Sequence, residues 1–123
     1  MKKDKTLVIG ASTNPERYSF KAANMLAEYG CPFVLSGLRE GTVAGSPIHD
    51  IRKREMFEGI DTVTLYVGPK NQAELEEYII SLKPRRVIFN PGTESPDFQK
   101  KLETSGIEVQ EACTLVLLRT GQY

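Results

Sequence analysis

Short apolar runs rich in β-branched residues alternate with longer amphipathic stretches, and this alternation constrains the fold more than any other feature. The runs span residues 6–10, 33–36, 62–67, 87–90 and 107–110. Continuous hydrophobicity is typical of strands buried on both faces. Because strands that alternate with helices form βαβ units, we expect one α/β domain over residues 1–123 with a five-stranded parallel sheet.

Helix patterns occupy three of the stretches between these runs. Apolar residues recur at helical spacing over 20–27 and over 75–82. Ser95-Pro96-Asp97 is a start signal for a third helix, because a capping residue precedes a proline at the first helical position. These helices are expected to cover the sheet.

Two further segments are interpreted from local chemistry. Asn71 and Glu74 have the spacing of a capping box ahead of the second helix. Residues 41–59 carry glycine, proline and charges, so we expect a loop with at most a short helix near 50–57.

Charge and composition exclude several classes of function. Lys plus Arg and Asp plus Glu both total 16, so no basic excess favours a nucleic acid partner. The apolar run at 7–9 is too short for a signal peptide or a membrane span. Cys31, Cys113 and the single histidine cannot form a structural zinc site. We therefore expect a cytoplasmic protein without a membrane or metal partner. Free thiols are expected, and a disulfide between Cys31 and Cys113 is the alternative.

The segment after the first strand has the chemistry of an anion site. In an open parallel sheet, ligands bind beyond the carboxyl ends of the strands. Here that position reads Gly10-Ala11-Ser12-Thr13-Asn14-Pro15-Glu16-Arg17-Tyr18-Ser19. Gly10 permits close backbone approach, and two serine hydroxyls lie beside a helix N-terminus. The loop could hold a pyrophosphate, while a simple strand-to-helix turn stays open as the structural interpretation.

The second strand ends in Ser36-Gly37-Leu38-Arg39. An NAD-binding unit places an acid near this point to bind the ribose hydroxyls. Arg39 stands there instead, and a guanidinium suits an additional phosphate on adenosine, as in coenzyme A or NADP. A surface arginine paired with Glu40 or left in water is the alternative.

Two more strand ends carry small, turn-forming residues. Val67-Gly68-Pro69 follows the third strand, and Asn90-Pro91-Gly92 follows the fourth. Such turns can hold a flat adenine through main-chain contacts and apolar faces, although ordinary βα turns have the same composition. Their placement at one end of the sheet is what favours a ligand site.

No residue is assigned a catalytic role. His49 has no Ser or Cys partner in its neighbourhood, and Glu94 would need its surroundings to tune it. Cys113 follows the fifth strand and could face the crevice, but a small core residue is the commoner role.

Several stretches carry a family resemblance: GASTNPERYSFKAANMLAEYG, VAGSPIHDI, DTVTLYVGPKNQ, KPRRVIFNPGTES and IEVQEACTLVLLRTGQY. They resemble the small stand-alone CoA-binding domain proteins of bacteria, which are similar to the CoA-binding domain of the succinyl-CoA ligase α subunit. The resemblance covers about residues 5–123. It implies a Rossmann-like three-layer sandwich with a coenzyme A site across the strand ends.

The resemblance and the strand-end argument together imply roles for four segments. Residues 11–19 would hold the diphosphate, and 36–39 would lie near the adenosine phosphate. Residues 67–69 would border the adenine, and 90–92 would line the path of the pantetheine. The candidate cofactor-binding residues are Gly10, Ala11, Ser12, Asn14, Pro15, Arg17, Tyr18, Ser19, Ser36, Gly37, Arg39, Val67, Gly68, Pro69, Asn90, Pro91 and Gly92.

Ligase activity does not follow from the resemblance. That activity needs a phosphohistidine domain and a nucleotide-binding β subunit, which these 123 residues do not contain. We therefore expect a non-catalytic module or accessory protein that binds coenzyme A or an acyl-CoA. An NADP-linked oxidoreductase and a ligand-free interaction protein are the alternatives, and a homodimer or an unidentified protein partner stays open.

Overall fold

The predicted apolar runs form five of the strands of one sheet in a computed structural model that describes residues 3–123. The strands are β1 Lys5–Ile9, β2 Phe33–Gly37, β3 Thr42–Val43, β4 Ser46–Asp50, β5 Ile60–Leu65, β6 Arg86–Phe89 and β7 Glu108–Glu111. Their order is β3-β4-β2-β1-β5-β6-β7, and only β3 and β4 pair antiparallel. The α/β Rossmann-like architecture is confirmed, but the sheet has seven strands and is mixed, so the prediction of five parallel strands is wrong in number.

Helices cover both faces of the sheet. They are α1 Tyr18–Glu28, α2 Pro69–Gln72, α3 Glu76–Ser81, α4 Pro96–Thr104 and α5 Thr114–Arg119, with 3-10 turns at Ile51–Lys53 and Ala73–Leu75. The sequence patterns predicted no helix at α5. Within residues 3–123, no helix combines the length and the hydrophobicity needed to cross a membrane.

Alternate residues of β1 show how the three layers form. Leu7 and Ile9 pack with α3 and α4 in one hydrophobic cluster, while Val8 packs with α1 and α5 in the other. All three side chains are fully buried. A strand covered on both faces has no polar side, which is why β1 appears in the sequence as a continuous apolar run.

Within the segment predicted as a loop over 41–59, the part from 42 to 50 instead extends the sheet, while the short helix expected near 50–57 is present as the 3-10 turn Ile51–Lys53. β3 and β4 form a hairpin, and β4 pairs in parallel with β2 from Leu35 opposite Ile48 to Gly37 opposite Asp50. The turn residues Ala44 and Gly45 both have positive φ, at 52° and 78°. A two-residue turn of this kind matches the twist of the flanking strands, so it supports a hairpin even without an Asn-Gly pair.

The predicted capping box at Asn71 and Glu74 is also wrong. Gly68 is the N-cap residue of α2, and Pro69 occupies the first helical position. Asn71 and Glu74 therefore lie within the helical stretch, three residues apart and on the same side of it. Ser95 does precede α4 as predicted, but the Gln99 side chain caps the Ser95 N–H at 2.9 Å, and the Ser95 side chain makes no capping bond.

The chain reverses direction across the sheet between β1 and β5. From β1 the chain passes through α1 to β2 on one side, and β5, on the other side of β1, leads through α2 and α3 to β6. Loops leaving adjacent strand ends in opposite directions open a crevice there, where ligands of such sheets bind.

Candidate functional site

A cavity of about 720 Å³ lies at this switch point. It opens between the segments that follow β1, β2, β4 and β5, at the carboxyl ends of those strands. Its volume is in the range of small-molecule sites. The cavity is lined by Ile9, Gly10, Ala11, Arg17, Gly37, Leu38, Arg39, Ile51, Arg52, Arg54, Tyr66, Val67, Gly68, Asn71, Glu74 and Leu75.

Two glycines let the backbone segments around the cavity approach closely. Gly10 has φ of +97°, and a Cβ there would lie 3.1 Å from the main chain of Tyr66. A Cβ on Gly37 would lie only 2.5 Å from the carbonyl oxygen of Ala11. The amides of Gly10 and Ala11 both donate to the Ser36 carbonyl, at 2.9 and 3.0 Å. The β1–α1 loop is thereby held against the end of β2.

The polar side chains of the β1–α1 loop stabilise the loop itself. The Ser12 hydroxyl accepts from the Asn14 amide at 3.0 Å, and the Asn14 side chain accepts from the Glu16 amide at 3.0 Å. Arg17 is the N-cap residue of α1 and lines the cavity. The loop therefore presents backbone, a guanidinium and a helix N-terminus to the cavity, an arrangement that attracts anions.

Four arginines line the cavity, and sequence reasoning identified two of them. Arg17 and Arg39 follow predicted strands, whereas Arg52 and Arg54 follow the unexpected strand β4. Arg39 is exposed and forms no ion pair with any residue of 3–123, Glu40 included. Guanidinium groups at this density favour a ligand with several phosphates.

Arg52 and Arg54 are oriented by their neighbours. Arg52 binds Asp50 through two nitrogens, at 2.9 and 3.1 Å, and this hydrogen bonding lowers the pKa of the Asp50 carboxyl. Arg54 has the left-handed φ of 47° and donates to the Ile51 carbonyl at 2.6 Å. A non-glycine residue in this conformation costs about 1–2 kcal/mol, so the fold holds Arg54 in a strained turn beside the cavity.

The opposite wall comes from the end of β5 and from α2. Burial raises the pKa of the Tyr66 phenol to about 12, although the nearby hydroxyls of Thr114 and Thr64 partly oppose this shift. The buried side chain of Gln72 donates to the carbonyls of Val67 and Thr93, at 2.9 and 2.6 Å. Gln72 thus ties this wall to the turn after β6.

Seven of the seventeen candidate residues line the cavity: Gly10, Ala11, Arg17, Gly37, Arg39, Val67 and Gly68. The other ten do not. They are Ser12, Asn14, Pro15, Tyr18, Ser19, Ser36, Pro69, Asn90, Pro91 and Gly92. Ser19 and Ser36 are buried, whereas Tyr18, Pro91 and Gly92 are exposed. Sequence reasoning also missed Arg52, Arg54, Tyr66, Asn71 and Glu74 as lining residues.

Asn90 is fully engaged by the protein. Its amide nitrogen donates to the Thr64 hydroxyl at 2.7 Å and to the Leu65 carbonyl at 2.9 Å. Its oxygen accepts from the Thr114 amide at 2.9 Å. These buried bonds tie β5 and β6 to the start of α5, so Asn90 has a structural role here.

The residues considered for catalysis lie outside the cavity lining. His49 Nδ1 is 3.4 Å from a carboxylate oxygen of Glu55, and its ring forms a T-shaped contact with Phe57. Glu94 accepts from the Gly92 amide at 2.9 Å. Cys113 directly precedes α5 and is a free thiol, as is Cys31. Over residues 3–123, no group of three His, Cys, Asp or Glu side chains could hold a metal ion.

A cationic cavity at the switch point of a doubly wound sheet defines a class of domains that bind phosphate-containing ligands. Residues 4–119 match the model of a family described as CoA binding domain. The chain therefore belongs to the CoA binding domain family, and membership indicates coenzyme A binding in general.

Solved structures agree with this fold. The crystal structure of an uncharacterized protein is 44% identical, with both chains covered completely and a TM-score of 0.94. A Thermus thermophilus protein, cell-free ID.343, is 21% identical over 98% of this chain and 91% of its own, with a TM-score of 0.84. A conserved hypothetical protein from Pyrococcus furiosus is 24% identical over 87% and 91%, with a TM-score of 0.75. No curated protein matches significantly.

The lining residues fit coenzyme A chemically. The cofactor carries a diphosphate, a phosphate on its ribose and an adenine. Four guanidinium groups and the N-terminus of α1 supply partners for the phosphates. Ile51, Val67 and Leu75 supply apolar surface for a flat base.

Proposed function

We propose that this protein binds coenzyme A or an acyl-CoA at the carboxyl ends of its parallel strands, as a non-catalytic module or accessory protein of the cytoplasm. The arrangement of Arg17, Arg39, Arg52 and Arg54 around one cavity carries this proposal. Coenzyme A carries a phosphate on its adenosine ribose that NAD lacks, and a site rich in guanidinium groups favours the ligand with more phosphate charge.

The phosphate groups are assigned to different parts of the site. Arg17 and the N-terminus of α1 would hold the diphosphate, because backbone N–H groups and a positive dipole end meet there. Arg39, which follows β2, would bind the phosphate on the ribose. Val67 and Gly68 would border the adenine, as would the neighbouring Pro69 at the start of α2.

The remaining candidate residues have supporting roles in this proposal. Ser12 and Asn14 shape the phosphate loop through their turn bonds. Pro91 and Gly92 are exposed at the end of β6, so the pantetheine could pass over them as it leaves the cavity. Asn90 would position that turn through its buried bonds.

The first experiment measures thermal stability during separate titrations with CoA, acetyl-CoA, dephospho-CoA, NAD and NADP. A ligand at 100 times its dissociation constant should add about 2.7 kcal/mol, or several degrees in Tm. We expect the largest rise with CoA or acetyl-CoA and a smaller one with dephospho-CoA. No rise with either CoA species would refute the proposal.

Substitution of Arg39 tests the assigned phosphate contact. Arg39→Ala should weaken the binding of CoA about 10-fold or more, because hydrogen bonds to charged groups contribute about 1.5–3 kcal/mol. The affinity for dephospho-CoA should stay nearly unchanged, because that ligand lacks the phosphate that Arg39 would contact. Arg119→Ala is the matched control, since Arg119 is exposed on α5 and outside the cavity lining. Equal losses for the two ligands in Arg39→Ala would contradict the assignment.

NADP is the second candidate ligand, because Arg39 would also suit its additional phosphate. Arg39 occupies the position where a guanidinium can bind the 2′-phosphate of NADP. Stabilisation by NADP without stabilisation by CoA would favour an oxidoreductase. Stabilisation by none of the five ligands would favour a ligand-free interaction protein.

A further inference from the structure

One side chain of the cavity has the wrong charge for phosphate binding. Glu74 is the single acidic residue among the lining residues, which include four arginines, and it is exposed to solvent. Within residues 3–123 it forms no ion pair. Arg54 approaches the main-chain carbonyl of Glu74, at 3.5 Å, and not its carboxylate. A free carboxylate weakens the binding of anions, so its presence on this wall points to a ligand group that donates hydrogen bonds.

Asn71 accompanies Glu74 on the same wall. The two residues lie three positions apart in one helical stretch, and both line the cavity. The Asn71 side chain makes no hydrogen bond within the part of the chain that the structure describes, whereas its main-chain N–H donates to the Gly68 carbonyl at 3.0 Å. The wall thus offers an acceptor and an amide that can both donate and accept.

Apolar surface lies beside these two polar groups. Ile51 and Leu75 are buried residues that also line the cavity, and Val67 packs against the same cluster. A flat ring with polar groups along one edge complements such a surface. The base edge of adenine offers an amino donor between two ring-nitrogen acceptors, and an asparagine can pair with it through two hydrogen bonds.

We propose that Asn71 and Glu74 recognise the amino edge of adenine and make the site selective for adenine over 6-oxo bases. Glu74 accepts from the 6-amino group, and Asn71 donates to the adjacent ring nitrogen N1, which carries a proton in a 6-oxo base and cannot accept there. A 6-oxo base places a carbonyl oxygen against the Glu74 carboxylate, which leaves both acceptors unpaired. This inference rests on the proposed function and adds base selectivity to it.

The test compares CoA with its hypoxanthine analogue, in which an oxygen replaces the 6-amino group. The two probes match in size and phosphate charge. Calorimetric titration of wild-type protein should show CoA binding about 10-fold tighter or more, as a hydrogen bond to a charged group provides. In Glu74→Ala and in Asn71→Ala the preference should fall to about 3-fold or less.

Glu77→Ala is the matched control, because Glu77 is exposed on α3 and lies outside this cavity. It should retain the full preference for CoA. Equal binding of the two probes to wild-type protein would overturn the inference while leaving the proposed function in place. Absence of CoA binding to wild-type protein would overturn both. A full preference in both Glu74→Ala and Asn71→Ala would show that other groups recognise the base.

Discussion

Gly37→Ala tests how the cavity is built, because the added methyl group has no space. Gly37 ends β2, and its Cβ would lie 2.5 Å from the carbonyl oxygen of Ala11 and 3.3 Å from a methyl group of Ile48. Ordinary contacts begin near 3.4 Å, so the β1–α1 loop would have to move by about 0.9 Å. The backbone conformation of Gly37 is one that alanine adopts, so the contact itself is what is tested.

The expected loss of stability can be worked from these contacts. Overpacking costs about 1–3 kcal/mol, and the two loop bonds to the Ser36 carbonyl lose part of their strength. Replacing a glycine within a strand by alanine adds about 0.5–1 kcal/mol to the free energy of unfolding, which offsets part of this loss. We therefore expect a net loss of about 1–2 kcal/mol, or a fall in Tm of roughly 3–8 °C for a domain of this length. CoA affinity should fall as well, because the displaced loop carries Arg17.

Gly68→Ala is the matched control. Gly68 also lines the cavity, but a Cβ there meets nothing within 4 Å. The alanine loses about 0.5–1 kcal/mol as an N-cap and gains about 0.4–1 kcal/mol from the less flexible unfolded chain. Urea unfolding should therefore place this variant near the wild type. If Gly37→Ala is as stable as Gly68→Ala and binds CoA normally, the close approach of loop and strand does not shape the site.

Two further predictions concern stability. Burial opposes ionisation of Asp61, but hydrogen bonds from Arg85 and Thr62 outweigh it and lower the pKa of that carboxyl. Its stabilisation is present above the ordinary Asp pKa and is lost as pH falls through the lowered one, so Asp61→Asn should cost about 0.5–1 kcal/mol at pH 7. Urea unfolding should show the difference in stability between the two proteins shrinking as pH falls below the ordinary Asp pKa of about 3.9, and a difference that does not change with pH would contradict the assignment. Asn90→Ala should cost about 1–3 kcal/mol in the same assay, because it leaves the buried Thr114 amide unpaired, and a loss below about 1 kcal/mol would contradict its structural role.

The central strands could be predicted from sequence because they are buried on both faces. Each of the five apolar runs overlaps one observed strand: four are the central strands β1, β2, β5 and β6, and the fifth is β7, an edge strand without a buried residue. The edge hairpin could not be predicted in this way. Val43 and Ile48 are its only buried residues, and Pro47 lies within β4. The two short strands of the hairpin bury so little that they contain no apolar run, and Ala44 gives no glycine or asparagine signal at its left-handed turn position.

The start of α2 was predicted at the wrong residue. Asn71 and Glu74 have capping spacing, but Gly68 and Pro69 already start the helix three residues earlier. A recognised start at Pro69 would have placed Asn71, Glu74 and Leu75 on one helical side next to a strand end. That pattern was available in the sequence, and it would have predicted this wall of the cavity.

Because the hairpin was not predicted, Arg52 and Arg54 were not predicted as cavity residues either. The strand-end argument depends on knowing where strands end, and it identified Arg17 and Arg39 because β1 and β2 were recognised. β4 ends at Asp50, so Arg52 and Arg54 occupy the same kind of position after an unrecognised strand. The chain must then cross from the edge of the sheet back to β5 in its centre, and this path passes over the switch point. The hairpin therefore does more than extend the sheet: it sets the place from which the chain returns and carries two guanidinium groups to the cavity.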